Sequence, residues 1–273
     1  MPEGDTIFRA ARTLHQALAG RTVTRFDSVF SALTRANDDL KIAGRSVVRV
    51  DARGKHLLIW FSGDLVLRTH MRMHGSWHIY RPGERWQRPR ADMRIVIGTP
   101  EYEAVAFSVP VAELTSARDL ECEPAVRDLG PDILAEHFDA AGVVSRIEAM
   151  READIAEALL DQHAVAGIGN IFKSESLFAA RVDPFARVGT LSREDIARVV
   201  DAARRLMRAS AIERPARLSV YGRAGRPCRR CGTVISGRKQ GENARVTYGA
   251  ADVSLHRRSR VSGVGGRMRE PRA

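Results

Sequence analysis

The sequence predicts an α+β protein: one amphipathic helix, a two-layer antiparallel β-sandwich, then a helical half followed by a short hairpin. Three observations carry this. Apolar residues recur at helical spacing near the start, short alternating runs with turn residues between them fill positions 46 to about 111, and helical periodicity takes over from about 131 to 211. At 273 residues, 44% of them apolar, the chain can build two cores.

Ile7, Phe8, Ala11, Leu14 and Leu18 share one helical face, which predicts a helix from Thr6 to Ala19 that closes at Gly20. The β half reads as Ser46–Val50, His56–Phe61, Leu65–Met73, Trp77–Tyr80, Met93–Ile97 and Ala104–Val109, with turns at Gly63-Asp64, Pro82-Gly83 and Thr99-Pro100. Such runs pack as two layers because each sheet must bury one face. Leu129-Gly130-Pro131 reads as a linker. Beyond it a helix is expected from Ile171 to Ala180, and Ser192 with Asp195 forms a capping-box pattern for the last long helix. From Arg223 the composition shifts to Gly, Arg and Ser. The expected division is 1–128, 129–222, 223–248 and a basic, disordered tail over 249–273.

The 44 Lys and Arg against 33 Asp and Glu give +11, of which the tail supplies +4 through six Arg, one Asp and one Glu. The body is therefore basic without its tail, which points to a polyanionic partner. No apolar run reaches the roughly 18 residues of a membrane span, and the first helix is too charged for a signal peptide, so a cytoplasmic protein is expected. Cys122, Cys228 and Cys231 cannot make a secreted disulfide framework. Cys122, in an acidic stretch, reads as an ordinary residue.

Two stretches carry chemistry. Met1 before the small Pro2 suits removal of the initiator, and Pro2 would then present a secondary amine, largely deprotonated near a pKa of roughly 8 and nucleophilic toward an aldehyde-like carbon. Glu3 places a carboxyl group beside it for proton transfer. The plain alternative is a helix start, where Pro and an acidic residue are common. In the second stretch, Gly167 and Gly169 flank Ile168 ahead of a helix, so a tight turn presents free backbone N–H groups that suit a phosphate. Asn170 adds an amide and Lys173 a charge; an ordinary helix hairpin in a core would show the same pattern.

Pro2-Glu3-Gly4, Arg53-Gly54-Lys55-His56-Leu57-Leu58 and Gly167-Ile168-Gly169-Asn170 together resemble the formamidopyrimidine-DNA glycosylase and endonuclease VIII family of bifunctional DNA repair glycosylases. The match runs in order from residue 1 to about 248. The resemblance implies a helical half built as a helix–two-turn–helix domain, and double-stranded DNA with damaged bases or abasic sites as partner, bound by a monomer. It implies Pro2 as the nucleophile at C1′ of the damaged nucleotide, Glu3 as the acid at the sugar ring oxygen, and Lys55 as a phosphate contact that helps assemble the site. Asn170, and Arg245 in Asn243-Ala244-Arg245-Val246-Thr247-Tyr248, would grip the same backbone. Alignment on His70-x-x-x-x-Gly75-x-Trp77 makes Arg72, Met73 and His74 the wedge that fills the space of a flipped base; the alternative is a strand with Leu65, Leu67, Thr69, Met71 and Met73 facing inward.

Gly4-Asp5-Thr6 resembles the endonuclease VIII branch, and Arg214–Tyr221 is short for the long base-covering loop of the other, so oxidised pyrimidines are the expected substrates, with a formamidopyrimidine or 8-oxoguanine enzyme as alternative. The C-terminus departs from the family. Cys228-Arg229-Arg230-Cys231 resembles the first half of a zinc ribbon, making this a degenerate zinc-ribbon hairpin, but Gly249-Ala250-Ala251-Asp252-Val253-Ser254 stands where a second C-x-x-C should follow. One nucleotide restored after the Tyr248 codon can shift those codons to read Trp-Cys-Arg-Arg-Cys-Gln, which sequencing of the gene would test. With His256 as the one further ligand nearby, weak or absent zinc is expected. Two function classes therefore fit: an active glycosylase and lyase, or a non-catalytic binder of damaged DNA.

Overall fold

The computed structural model describes residues 2–213, 217–241 and 244–250. Helix α1 (Gly4–Leu18) begins two residues earlier than its periodicity suggests and buries Ile7, Ala11, Leu14, Ala17 and Leu18 along one face. That face rests on a sandwich of two four-stranded antiparallel sheets. The first sheet orders its strands as β2 (Val47–Arg53), β3 (His56–Phe61), β4 (Leu65–His70) and β8 (Val111–Ser116); the second as β1 (Arg25–Ser28), β6 (Met93–Gly98), β7 (Glu103–Phe107) and β5 (Ser76–Tyr80).

Strand β3 is apolar on both faces for a reason visible in its neighbours. Leu57, Ile59 and Phe61 join the core between the sheets, whereas Leu58 faces outward onto Val66, Leu120 and Val126 beneath helices α3 (Ala117–Cys122) and α4 (Pro124–Arg127). Each such fully buried aliphatic side chain contributes roughly 2 kcal/mol over its exposed state. Helix α2 (Ser31–Leu40) inserts between β1 and β2 and buries only Leu33.

The helical half packs α5 (Ala140–Ala149), α6 (Ile155–Ala158), α7 (Asn170–Ala180) and α8 (Arg193–Ile212) around Val143, Ile147, Ile155, Leu159, Ile168, Leu177, Val199 and Met207. The capping box of α8 forms as expected, with Ser192 and Asp195 each satisfying the other's backbone N–H. The segment read as a linker is instead packed. Gly130 N–H donates to Gln162 O at 2.8 Å, Ala166 N–H donates to Pro131 O at 3.0 Å, and a Cβ on Gly130 would lie 2.4 Å from His163 O. Strands β9 (Ile235–Gln240) and β10 (Arg245–Ala250) pair in unbroken register, so pairing continues two residues past the expected boundary at 248. The tail expected to be disordered lies, from Ala251 on, outside the described residues, as do Met1, His256 and the first part of the short loop, 214–216.

Candidate active site

Glu3 joins the two halves. It is 1% exposed, and its carboxylate takes the first free N–H groups of α7: Ile171 N–H at 2.7 Å, Gly169 N–H at 3.1 Å and Phe172 N–H at 3.2 Å. The expected phosphate seat at this helix start is thus filled by the protein's own carboxylate, stabilised by the helix dipole. Gly4 N–H donates to Gly167 O at 2.9 Å, which brings the two backbones so close that a Cβ on Gly4 would lie 3.0 Å from Gly167. Gly167 sits at φ +102°, a conformation that favours glycine. Burial raises the Glu3 pKa above the usual carboxylate value, against the lowering by the helix N–H groups and Lys55. Pro2, half-buried, directly precedes this carboxylate.

Lys55 follows Gly54, which turns β2 into β3 at φ +59°, and its ammonium donates to Ile168 O at 2.6 Å. Gln162 holds the same turn, accepting from Gly167 N–H at 3.1 Å and donating to Ile168 O at 3.1 Å. Asp132 accepts from Gly54 N–H at 2.6 Å and Leu134 N–H at 2.8 Å, tying the β-turn to the helical half. Desolvation moves the Lys55 pKa down to about 8 against the pull of Glu3, with Arg245 adding to the depression. The structure therefore places Glu3, Lys55 and Arg245 in one electrostatic neighbourhood.

Asn170 and Lys173 open α7. The Asn170 amide donates to Val246 O at 2.9 Å. The Lys173 side chain is 1% exposed, and its ammonium donates to Asn170 Oδ1 at 2.6 Å and Thr247 Oγ1 at 2.7 Å. Its charge thus faces inward, unlike the direct backbone contact expected of it. Arg245, exposed, begins β10 just before these residues. Tyr221 packs edge-on against Tyr248 at 5.1 Å between ring centroids. Sequence reasoning missed Gln162, Asp132, Thr247 and Glu175; the last, buried, accepts from the backbone N–H groups of Ser219, Val220 and Tyr221 and pins the chain after α8. Asp132, Thr247 and Glu175 have partners 44 to 78 positions away, which no local pattern predicts, and Gln162 matters only through the turn it holds.

Arg72, Met73 and His74 are all exposed, in the loop that leaves β4, and Met73 is 56% exposed whereas Leu65, Leu67, Thr69 and Met71 face inward. The inward alternation thus ends at Met71. Arg72 adopts φ +49°, and its N–H donates to His70 Nδ1 at 3.1 Å. Gly75 closes the loop with its N–H on Met71 O at 2.9 Å, where a Cβ would approach to 2.6 Å.

Cys228 is buried with Val220, Ile235 and Ala250, and Cys231, half-buried, lies with its sulfur 3.0 Å from Thr233 Oγ1. Among the described residues no group of three or more His, Cys, Asp or Glu is placed to hold a metal. Two thiols do not complete the tetrahedral set of a structural zinc, so the described residues do not fit one.

A cavity of about 310 Å³ is lined among others by Asp5, Thr6, Arg9, Glu175, Ser210 and Arg217. A sandwich and a helical domain clasping a buried acid next to Pro2, with an exposed loop at the end of β4, define the architecture of a helix–two-turn–helix DNA glycosylase. Residues 1–109 match the formamidopyrimidine-DNA glycosylase N-terminal domain, and 129–219 match its H2TH domain. The probable endonuclease 8 2 of Streptomyces coelicolor is 42% identical over 90% of both chains, and the DNA-(apurinic or apyrimidinic site) lyase Nei2 of Mycolicibacterium smegmatis is 36% identical over 91% of this chain and 96% of that one. The fold matches the Lactococcus lactis formamidopyrimidine-DNA glycosylase bound to abasic-site DNA, with a TM-score of 0.80 over 91% of this chain and 98% of that one at 21% identity. The chain belongs to the formamidopyrimidine-DNA glycosylase and endonuclease VIII family.

Proposed function

We propose that this protein is a bifunctional DNA glycosylase and abasic-site lyase of base excision repair that favours oxidised pyrimidines in double-stranded DNA. The observation that carries the reading is Glu3: an acid held by three N–H groups, immediately after Pro2 and within the electrostatic reach of Lys55. With the initiator removed, the Pro2 nitrogen attacks C1′ as the bond from C1′ to the base breaks and the base leaves with a proton. Glu3 delivers a proton to the ring oxygen, the ring opens, and an iminium remains. Loss of a proton from C2′ then expels the 3′ phosphate, and a second elimination expels the 5′ phosphate. The raised pKa of Glu3 favours the protonated form that delivers this proton.

Asn170 and Arg245 grip the phosphates at the lesion, Lys55 adds a flanking contact, and Arg72, Met73 and His74 enter the stack as the nucleotide turns out. The endonuclease VIII names of relatives and the Gly4-Asp5-Thr6 continuation support pyrimidines over purines. A non-catalytic binder would be expected if the finger had lost Arg245, and the paired hairpin that carries Arg245 next to Asn170 favours the enzyme instead. A monomer in the cytoplasm, associated with the nucleoid, completes the reading. Borohydride added to the protein with abasic-site or thymine-glycol duplex tests it: a covalent protein–DNA adduct is expected and is lost in Pro2→Gly. Binding without any adduct would refute the enzyme reading.

A further inference from the structure

The zinc-ribbon half-motif leaves open what aligns the hairpin with the rest of the DNA face. We infer that a buried hydrogen-bond chain centred on Lys173, rather than a metal at Cys228 and Cys231, sets β10 against α7 and makes Lys173 the positioning residue for the grip on DNA. This rests on the phosphate-binding roles proposed for Asn170 and Arg245.

The chain runs without a gap from the helical half into the hairpin. Lys173 bridges Asn170 Oδ1 and Thr247 Oγ1, the Thr247 hydroxyl donates to Gln240 Oε1 at 2.8 Å, and the Gln240 amide donates to Asp154 Oδ2 at 2.9 Å and Pro184 O at 3.2 Å. An ammonium can only donate, and that fixes the polarity of everything it touches. Asn170 must offer its oxygen to Lys173, so its NH₂ faces Val246 O. Thr247 must accept from Lys173, so its proton goes to Gln240. Val246 and Thr247 are the two residues after Arg245, and both are thereby held from α7.

Beneath them, Val220, Cys228, Ile235 and Ala250 close an apolar cluster in which the Cys228 side chain behaves as a small hydrophobic residue. No carboxylate pairs with Lys173 within ion-pair distance among the described residues. Burial, and then Arg245, press its pKa down to about 8. A bound phosphate would supply the missing opposite charge through Arg245 and Asn170. Retaining an ammonium there, when an apolar side chain would fill the space more cheaply, fits a part in alignment.

The test uses the full chain. Lys173→Met should weaken binding to an abasic-site duplex about tenfold, the size expected for removing charge-assisted hydrogen bonds. It should speed hydrogen exchange at the β10 amides and leave the single-turnover rate at saturating DNA within about threefold, as a fault in gripping rather than in chemistry requires. Lys173→Arg should recover part of the affinity, and Thr247→Val should reproduce the loss in milder form should the methionine variant fold poorly. Dialysis against EDTA with phenanthroline, and Cys231→Ala, should change neither affinity nor exchange. Unchanged affinity and exchange in both Lys173→Met and Thr247→Val would overturn the inference, and so would collapse of affinity on chelation. Faster exchange with unaltered affinity would uphold the alignment and refute instead the phosphate roles of Asn170 and Arg245.

Discussion

Gly169→Ala tests the placement of the acid with a single methyl group. The backbone at Gly169, φ −122° and ψ −165°, is open to any residue, so the substitution adds bulk without backbone strain. The new Cβ would stand 2.3 Å from Glu3 Cδ, 2.5 Å from Cγ and 2.6 Å from Oε1, whereas ordinary contact begins at 3.4 Å. The carboxylate must therefore retreat by about 1 Å, which carries it out of register with the N–H groups of Gly169, Ile171 and Phe172. Misplacement of that size in a reacting group costs on the order of 100-fold in rate. Overpacking should lower stability by only about 1–3 kcal/mol, leaving the protein folded. Single-turnover excision and borohydride trapping at saturating DNA, with a urea melt in parallel, measure both quantities. A folded variant within threefold of the parent would refute the claim that Glu3 must sit where the helix start holds it.

Further outcomes follow from other sites. Lys55→Ala should flatten the plot of log affinity against log salt by about one unit, as loss of one phosphate contact requires. Because Lys55 and Lys173 both lose their protons near pH 8 in the native state, raising the pH from 8 to 10.5 should weaken DNA binding. The same change should raise stability from these two groups, since the unfolded chain then holds more protons than the native one; parallel titration of affinity and urea midpoint checks the opposite signs. His56 and His70 are held down to about 3 and about 4, chiefly by burial, so the native state stays neutral there while the unfolded chain protonates below pH 6.5. Their contribution is complete above pH 6.5 and lost toward pH 4, at about 1.4 kcal/mol per pH unit per histidine, and His70→Asn should remove one such share from the slope. Met73→Ala should slow excision from duplex about tenfold or more while sparing a single-stranded substrate, because only the duplex needs its stack filled.

Elements that declare themselves locally were legible. His56–Phe61 appears as β3 with the expected ends, since the unbroken apolar run over 57–61, bounded by turn residues on both sides, is too short for a helix. The last long helix was legible through its cap. Strand β1 holds one buried apolar residue, Phe26, and α2 one, Leu33; with so little to bury, neither shows a period, and both exist because the sandwich offers them an edge. The start of β4 at Leu65 was legible but its far end was overread, because Met71 and Met73 extend its alternation on paper, whereas Gly75 pulls the chain into a loop after His70. At the site, Pro2, Glu3, Lys55 and Asn170 could be singled out because motifs mark them. The inward turn of Lys173 could not, since it depends on Thr247, 74 positions away, and a lysine on a helix start reads as exposed until the hairpin covers it.

The attachment of Glu3 to Gly169, Ile171 and Phe172 spans more than 160 residues of chain. A ribosome-bound fragment that ends before α7 has no seat for the Glu3 carboxylate, so the strand cutting proposed above would arrive only once the later helices have emerged and docked. Long-range closure of this kind is slow to form and all-or-none in effect. Under the proposed chemistry, half-made chains are thereby poor nucleases, and incision of an abasic site becomes a readout of whether the whole polypeptide has reached its native arrangement.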